Sequence, residues 1–338
     1  MVTAFNNSTL PIGFLPDRRR ADALYCEMKA RLIDSLSYLH QQLSDTTSQP
    51  PPIDSWLATL NKTTFIKPGI FGYYYDLASA LLQDDIELAK QLFTKLSSFE
   101  AAAGGLSVIT LSETDLDRES IDLYIRNVEI EPDVPLHLTA PSASSAERVS
   151  PHIHEALEII DQVLPELGEE IRALTTEIVM ASSARNSDGI TFHGASSVYL
   201  WGTLFINADY HKTLVQVLDT LIHESAHCLL FGLSVEGPLV ENPEEERHSS
   251  PLREDLRPID GIYHATFVLS RMHYGMQKIL DSSLLDDESN KEVERLIGHH
   301  ASCFRDGLNT IESVGRLTQL GSTIMQGPKQ YMQSVGAI

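Results

Sequence analysis

The run HKTLVQVLDTLIHESAHCLLFG, His211 to Gly232, constrains this chain more than any other segment. Its apolar residues Leu214, Val217, Leu218, Leu221 and Leu229 recur every three or four positions, the spacing of one buried face of a helix, with Gly232 expected to end it. Residues four apart on a helix lie one turn above each other. His223 and His227 therefore project the same way and can offer two imidazole nitrogens to one metal ion. Glu224, beside them in the HExxH pentapeptide His223-Glu224-Ser225-Ala226-His227, is placed to move a proton or orient a water. Two ordinary half-buried histidines are the competing explanation, and the glutamate between them and the apolar flanks argue against it.

A third ligand decides the chemistry. In the metzincin pattern it would be a His six residues after the second, with Gly three after it, but those positions hold Leu233 and Leu230. A hydrolytic zinc site would instead take a Glu about twenty residues on, and Glu244, Glu245 and Glu246 in ENPEEERHSSP are the candidates. Pro243, the charge run and Ser-Ser-Pro make that segment a loop with solvated carboxylates. Next, SPLREDLRPIDGIYHATFVLSRM, Ser250 to Met272, carries Arg253 and Arg257 and opens a helix at Pro258 to Asp260. His264 on that helix lies among Ile262, Phe267, Val268 and Leu269, and spacing alone makes it a core histidine.

HESAH followed by SPLREDLRPIDGIYH resembles the HExxH-motif peptide-modification family, the 2-oxoglutarate-dependent HExxH-type peptide β-hydroxylases of ribosomally synthesised peptide pathways. The likeness spans about Glu177 to Met272 and rests, after the motif, on Pro251, Arg253, Glu254, Asp255, Arg257, Pro258, Gly261 and His264. Leu252 stands where that family usually has Trp, and the first hundred residues match no motif. The resemblance implies that His223, His227 and His264 hold Fe(II) and that Arg253 or Arg257 binds the distal carboxylate of 2-oxoglutarate. It further implies an O2-dependent hydroxylation at a substrate β-carbon, with succinate and CO2 leaving. Three neutral ligands leave the ion its full charge, which a dianionic oxoacid offsets, and an arginine fork suits a carboxylate. Glu224 has no hydrolytic water to activate in that scheme and is left a supporting role. The alternative is a zinc metallopeptidase with Glu224 as general base and Glu246 or His264 as third ligand. A metal-stabilised peptide-binding protein is the non-enzymatic option.

The rest of the chain sets the frame. With 338 residues, 42% of them hydrophobic, a sizeable core can form. Acidic residues outnumber basic ones 47 to 25, a net charge of −22 that repels phosphate backbones and anionic lipid, so neither nucleic acid nor membrane is an expected partner; a neutral or basic peptide would suit this field better, and a plain solubility role accounts for the charge equally well. Cys26, Cys228 and Cys303 form no disulfide framework, Met1 to Leu15 lacks a signal-peptide pattern, and the expectation is a cytoplasmic protein.

The expected architecture is α+β and mainly helical, with a small antiparallel or mixed sheet packed against the HExxH helix. Residues 16–44 predict one helix and 71–103 a second helical stretch, giving an N-terminal helical subdomain over 1–103, with SDTTSQPPP (44–52) as punctuation. A metal-binding catalytic domain would occupy 104–338. PSASSAERVSP, 141–151, reads as an exposed loop or linker, and helical spacing returns from His152 to about Ala173. Short β-rich runs fall at 104–111, 133–141, 177–183 and 189–207. His193, Ser196, Ser197 and Tyr199 in the last of these could line a peptide groove along a sheet edge, although ordinary sheet residues look the same. His152, His154, His273, His299 and His300 are read mostly as surface histidines, and Met272 and Met276 as core packing.

Overall fold

The computed structural model describes residues 13–47, 50–129, 136–184, 192–252 and 255–338. Arg253 and Glu254, most of the N-terminal run 1–15, and parts of the readings at 44–52, 133–141 and 189–207 lie outside the described residues. The chain is mainly helical α+β, as expected.

The first part contains α1 (Arg18–Thr46), α2 (Asp54–Lys62), β1 (Phe65–Ile66), α3 (Gly69–Leu82), α4 (Ile86–Ser98) and β2 (Ala102–Ala103). Asp17 starts α1 by accepting from Arg20 N at 3.0 Å, and Leu24, Met28, Leu32, Leu36 and Leu43 form its buried stripe. The single stretch expected over 71–103 is two helices. Asp84 takes a left-handed turn at φ 57°, and Asp85 caps α4 by accepting from Leu88 N at 3.0 Å. Helix α2 was not foreseen.

The middle runs β3 (Ser107–Thr110), α5 (Arg118–Val128), β4 (Leu138–Thr139), α6 (Ala143–Val163), α7 (Pro165–Leu174), β5 (Glu177–Ser183), β6 (Gly194–Ala195) and β7 (Thr203–Asn207). The stretch 141–151, expected to be a loop, is the opening of α6. Ser142 caps it by accepting from Ser145 N at 3.1 Å, and Val149 and Ile153 bury its inner face, which outweighs the ladder bond lost at Pro151. The sheet is mixed, in the order β3-β5-β7-β6. β3, β5 and β7 run parallel, β6 is antiparallel to β7 at the edge, and β4 pairs with the far end of β5.

The last part contains α8 (Leu214–Leu233), the hairpin β8 (Arg247–Ser249) and β9 (Leu256–Pro258), then α9 (Ile259–Ser282), α10 (Asp287–Val314) and α11 (Gln319–Ser334). Helix α8 carries the motif, with β6 and β7 packed against it on one side and α9 on another. Gly232 lies inside α8 and does not terminate it; the helix runs to Leu233. A β-carbon at 232 would sit only 3.5 Å from Trp201 and 3.7 Å from Leu24, so this position is part of a helix contact. Trp201 ties the layers together: its indole donates to Cys228 O of α8 at 2.9 Å, and its ring packs on Tyr25 of α1 and Phe71 of α3. No described helix is long and apolar enough to cross a membrane.

Candidate metal centre

Helix α8 begins in a capping box, with Thr213 accepting from Gln216 N at 3.2 Å and the Gln216 side chain accepting in return from Thr213 N. One turn further on, Val217, Leu218, Leu221 and Ile222 anchor it in the core, which fixes the rotation of the motif that follows. His223 and His227 then face the same side, their Nε2 atoms 3.2 Å apart. Two nitrogens bound at ~2.1 Å to one ion lie about 3.0 to 3.4 Å apart for right-angled to tetrahedral geometry, so the spacing fits a shared ion. Ligand atoms of His223, Glu224 and His227 all fall within 4.8 Å of one another.

Glu224 is buried, with Oε1 3.8 Å from His223 Nε2. Its Oε2 accepts from Ser196 Oγ at 2.8 Å, just beyond strand β6. Gly194 on the same strand comes so close that a β-carbon there would stand 2.7 Å from Glu224 Oε1. The alternation of 194 and 196, which turns both toward α8, is the signal that could have found this support for Glu224.

His264 arrives from α9. Its ring lies 5.7 Å from that of His227 and nearly parallel to it, at 19°, and Phe231 packs against both rings. His264 Nε2 is 4.0 Å from Asp260 Oδ2 one turn back. Burial pushes the His264 imidazole below its ordinary pKa, with the Asp260 carboxylate opposing, and the neutral ring is the form that binds a metal. The ligand atoms that converge are those of His223, Glu224 and His227, two imidazoles and one carboxylate whose chemistry fits a divalent transition ion, while His264 stands beside this group and outside it.

The other expected residues separate clearly. Arg257 is the middle residue of β9, opposite His248, with its side chain 14% exposed and its Nε 3.5 Å from Asp255 Oδ2. Arg253 lies outside the described residues. Glu244 and Glu245 are exposed, as expected, and Glu246 accepts from Asn242 Nδ2 at 2.7 Å and from Arg316, which ties it to the end of α10. Of the residues that could line a groove or be ordinary sheet positions, Ser196 serves Glu224, and Ser197 is buried and donates to Asn127 O at 2.8 Å, as an ordinary structural residue does. His193 stacks on Tyr210 at 3.6 Å and Tyr199 meets Tyr75 at 4.3 Å.

The expectation of surface histidines holds for the exposed His154 and His299 and fails for two others. His273 is buried against the Tyr331 hydroxyl at 2.8 Å, and His300 against Asp219 at 3.2 Å. Both face neighbouring helices, where amphipathic spacing cannot distinguish a buried polar position from a surface one. Met272, expected to be core packing, is buried and also places its sulfur 3.2 Å from His223 Nδ1. No protein-family model matches the chain, and no curated protein matches it.

Proposed function

We propose that this chain is an Fe(II) and 2-oxoglutarate dependent oxygenase that hydroxylates a side-chain β-carbon of a peptide, consistent with a cytoplasmic role in maturing a ribosomally made precursor. The observation that carries the reading is the third imidazole: His264 lies against His227, on a helix that follows directly from the strand bearing Arg257. Iron held by His223, His227 and His264 would couple oxidative decarboxylation of 2-oxoglutarate to attack on the substrate C–H bond, giving succinate and CO2. The protein's own part is orientation. Phe231 fixes the two stacked rings, Ser196 holds Glu224 beside His223, and the mostly buried guanidinium of Arg257 offers a carboxylate a planar fork. Arg253 is proposed to assist it.

The test is anaerobic addition of Fe(II) and 2-oxoglutarate. The expected result is a weak visible charge-transfer band of the chelated oxoacid, lost in His264→Ala and kept in Glu246→Ala. Arg257→Ala should raise the 2-oxoglutarate concentration needed to reach half of that band. One observation favours a second reading: Glu224, buried with Oε1 3.8 Å from His223 Nε2, stands where the general base of a zinc peptidase would stand. Absence of the band together with zinc-supported peptide cleavage would replace the oxygenase with that hydrolase.

A further inference from the structure

We infer that Met272 is the positioning residue for His223, fixing which of its ring nitrogens faces the metal. The inference rests on the reading of the HExxH histidines as ligands, but not on which metal they hold. His223 Nδ1 lies 3.2 Å from Met272 Sδ. A thioether sulfur carries no hydrogen and can only accept, so the proton of this contact belongs to His223 Nδ1. A neutral imidazole with its proton on Nδ1 has its lone pair on Nε2, the atom that faces His227 Nε2 at 3.2 Å. The ring is thus set in the ligating tautomer before any ion arrives.

Close packing of two helices makes this contact possible. Gly275, less than one turn after Met272 on α9, sits where a β-carbon would meet Ile222 Cδ1 of α8 at 2.7 Å. The missing side chain lets α9 approach α8 closely enough for Met272 to reach the motif, and Met272 is itself buried, at 5% exposure. One helix therefore supplies both a ring neighbour for His227 and a hydrogen-bond acceptor for His223. Ligating histidines usually donate this second N–H to a carboxylate, a carbonyl or water. Sulfur is a weaker acceptor, so Met272 orients the ring while adding little to its basicity.

The experiment compares the wild-type protein with Met272→Leu, which keeps the shape and removes the acceptor, and Met272→Gln, which restores one. Two-bond proton–nitrogen spectra of the metal-free, 15N-histidine-labelled proteins report the His223 tautomer, and competition with a chromophoric chelator reports Zn(II) affinity. The expected result is an Nδ1–H ring in the wild type, loss of that preference and at least about tenfold weaker zinc binding in Met272→Leu, and recovery of both in Met272→Gln. An unchanged ring and unchanged affinity in the leucine variant would overturn the inference, as would a glutamine variant no better than leucine. A wild type that binds no zinc would remove the metal reading, and the tautomer spectra of the metal-free proteins would still decide the role of Met272.

Discussion

A methyl group at position 194 would occupy space that Glu224 and Thr220 already fill. The nearest atoms are Thr220 Cγ2 at 2.6 Å, Glu224 Oε1 at 2.7 Å and Glu224 Cγ at 3.0 Å. The backbone of Gly194 has no left-handed turn to justify glycine, so close approach of strand to helix is the reason for it. Gly194→Ala must therefore push either the strand or the glutamate. The expected cost is about 1–3 kcal/mol in urea unfolding, the usual range for overpacking. Because Ser196 on the same stretch holds Glu224 Oε2, the displacement should also weaken Zn(II) binding measured by chelator competition. A variant with wild-type stability and affinity would show that the strand gives way without disturbing the site.

Between the sheet and the motif helix, one histidine joins the elements. His211 Nδ1 donates to Asn207 O at the end of β7, at 2.7 Å, and its Nε2 accepts from Thr220 Oγ1 of α8 at 2.8 Å. Both nitrogens are used in the neutral form, and burial pushes the pKa down to about 4. A histidine whose folded pKa lies below its unfolded value of about 6.5 binds more protons when unfolded, so its contribution is full above that value and is lost as pH falls toward about 4. His273, buried and also pushed down to about 4, acts in the same direction. The urea midpoint should therefore decline over this window, with a shallower decline in His211→Gln; parallel profiles would assign the slope to other groups. The sequence could not reveal this element contact, since the polar partners Asn207 and Thr220 give no periodic signal. The motif helix itself was legible, because HExxH and its apolar stripe are local patterns. The helix over 143–151 was not, because Ser, Ala and Pro151 resemble a linker until Val149 and Ile153 find a core to pack on. His264 was assigned to the site only by resemblance, and its stacking on His227 depends on two helices meeting 37 residues apart in the chain.

At the scale of the whole molecule, the N-terminal helices and the motif region share a buried ionic centre. Glu170 of α7 accepts from Arg20 of α1 at 2.7 Å, from Asp17 N at 3.1 Å and from Arg271 of α9. The two arginines also reach back to the segment before α1, Arg20 to Gly13 O and Leu15 O and Arg271 to Phe14 O. All three charged side chains are at most 3% exposed. One carboxylate thus neutralises part of the charge of two guanidiniums in the interior, and the helix that carries His264 and Met272 is tied through it to the beginning of the chain. Replacing the whole cluster by apolar groups could be neutral, because desolvation offsets much of the attraction, but removing only the acid leaves two buried cations facing each other. Glu170→Ala should therefore lose about 3–5 kcal/mol of stability. Because the cluster joins α1, α7 and α9, that loss should appear as one shifted transition, coincident by the fluorescence of Trp56 and Trp201 and by far-ultraviolet circular dichroism. A variant in which the N-terminal helices melt separately, ahead of the helix that holds the histidines, would show that the ionic centre does not couple the two parts.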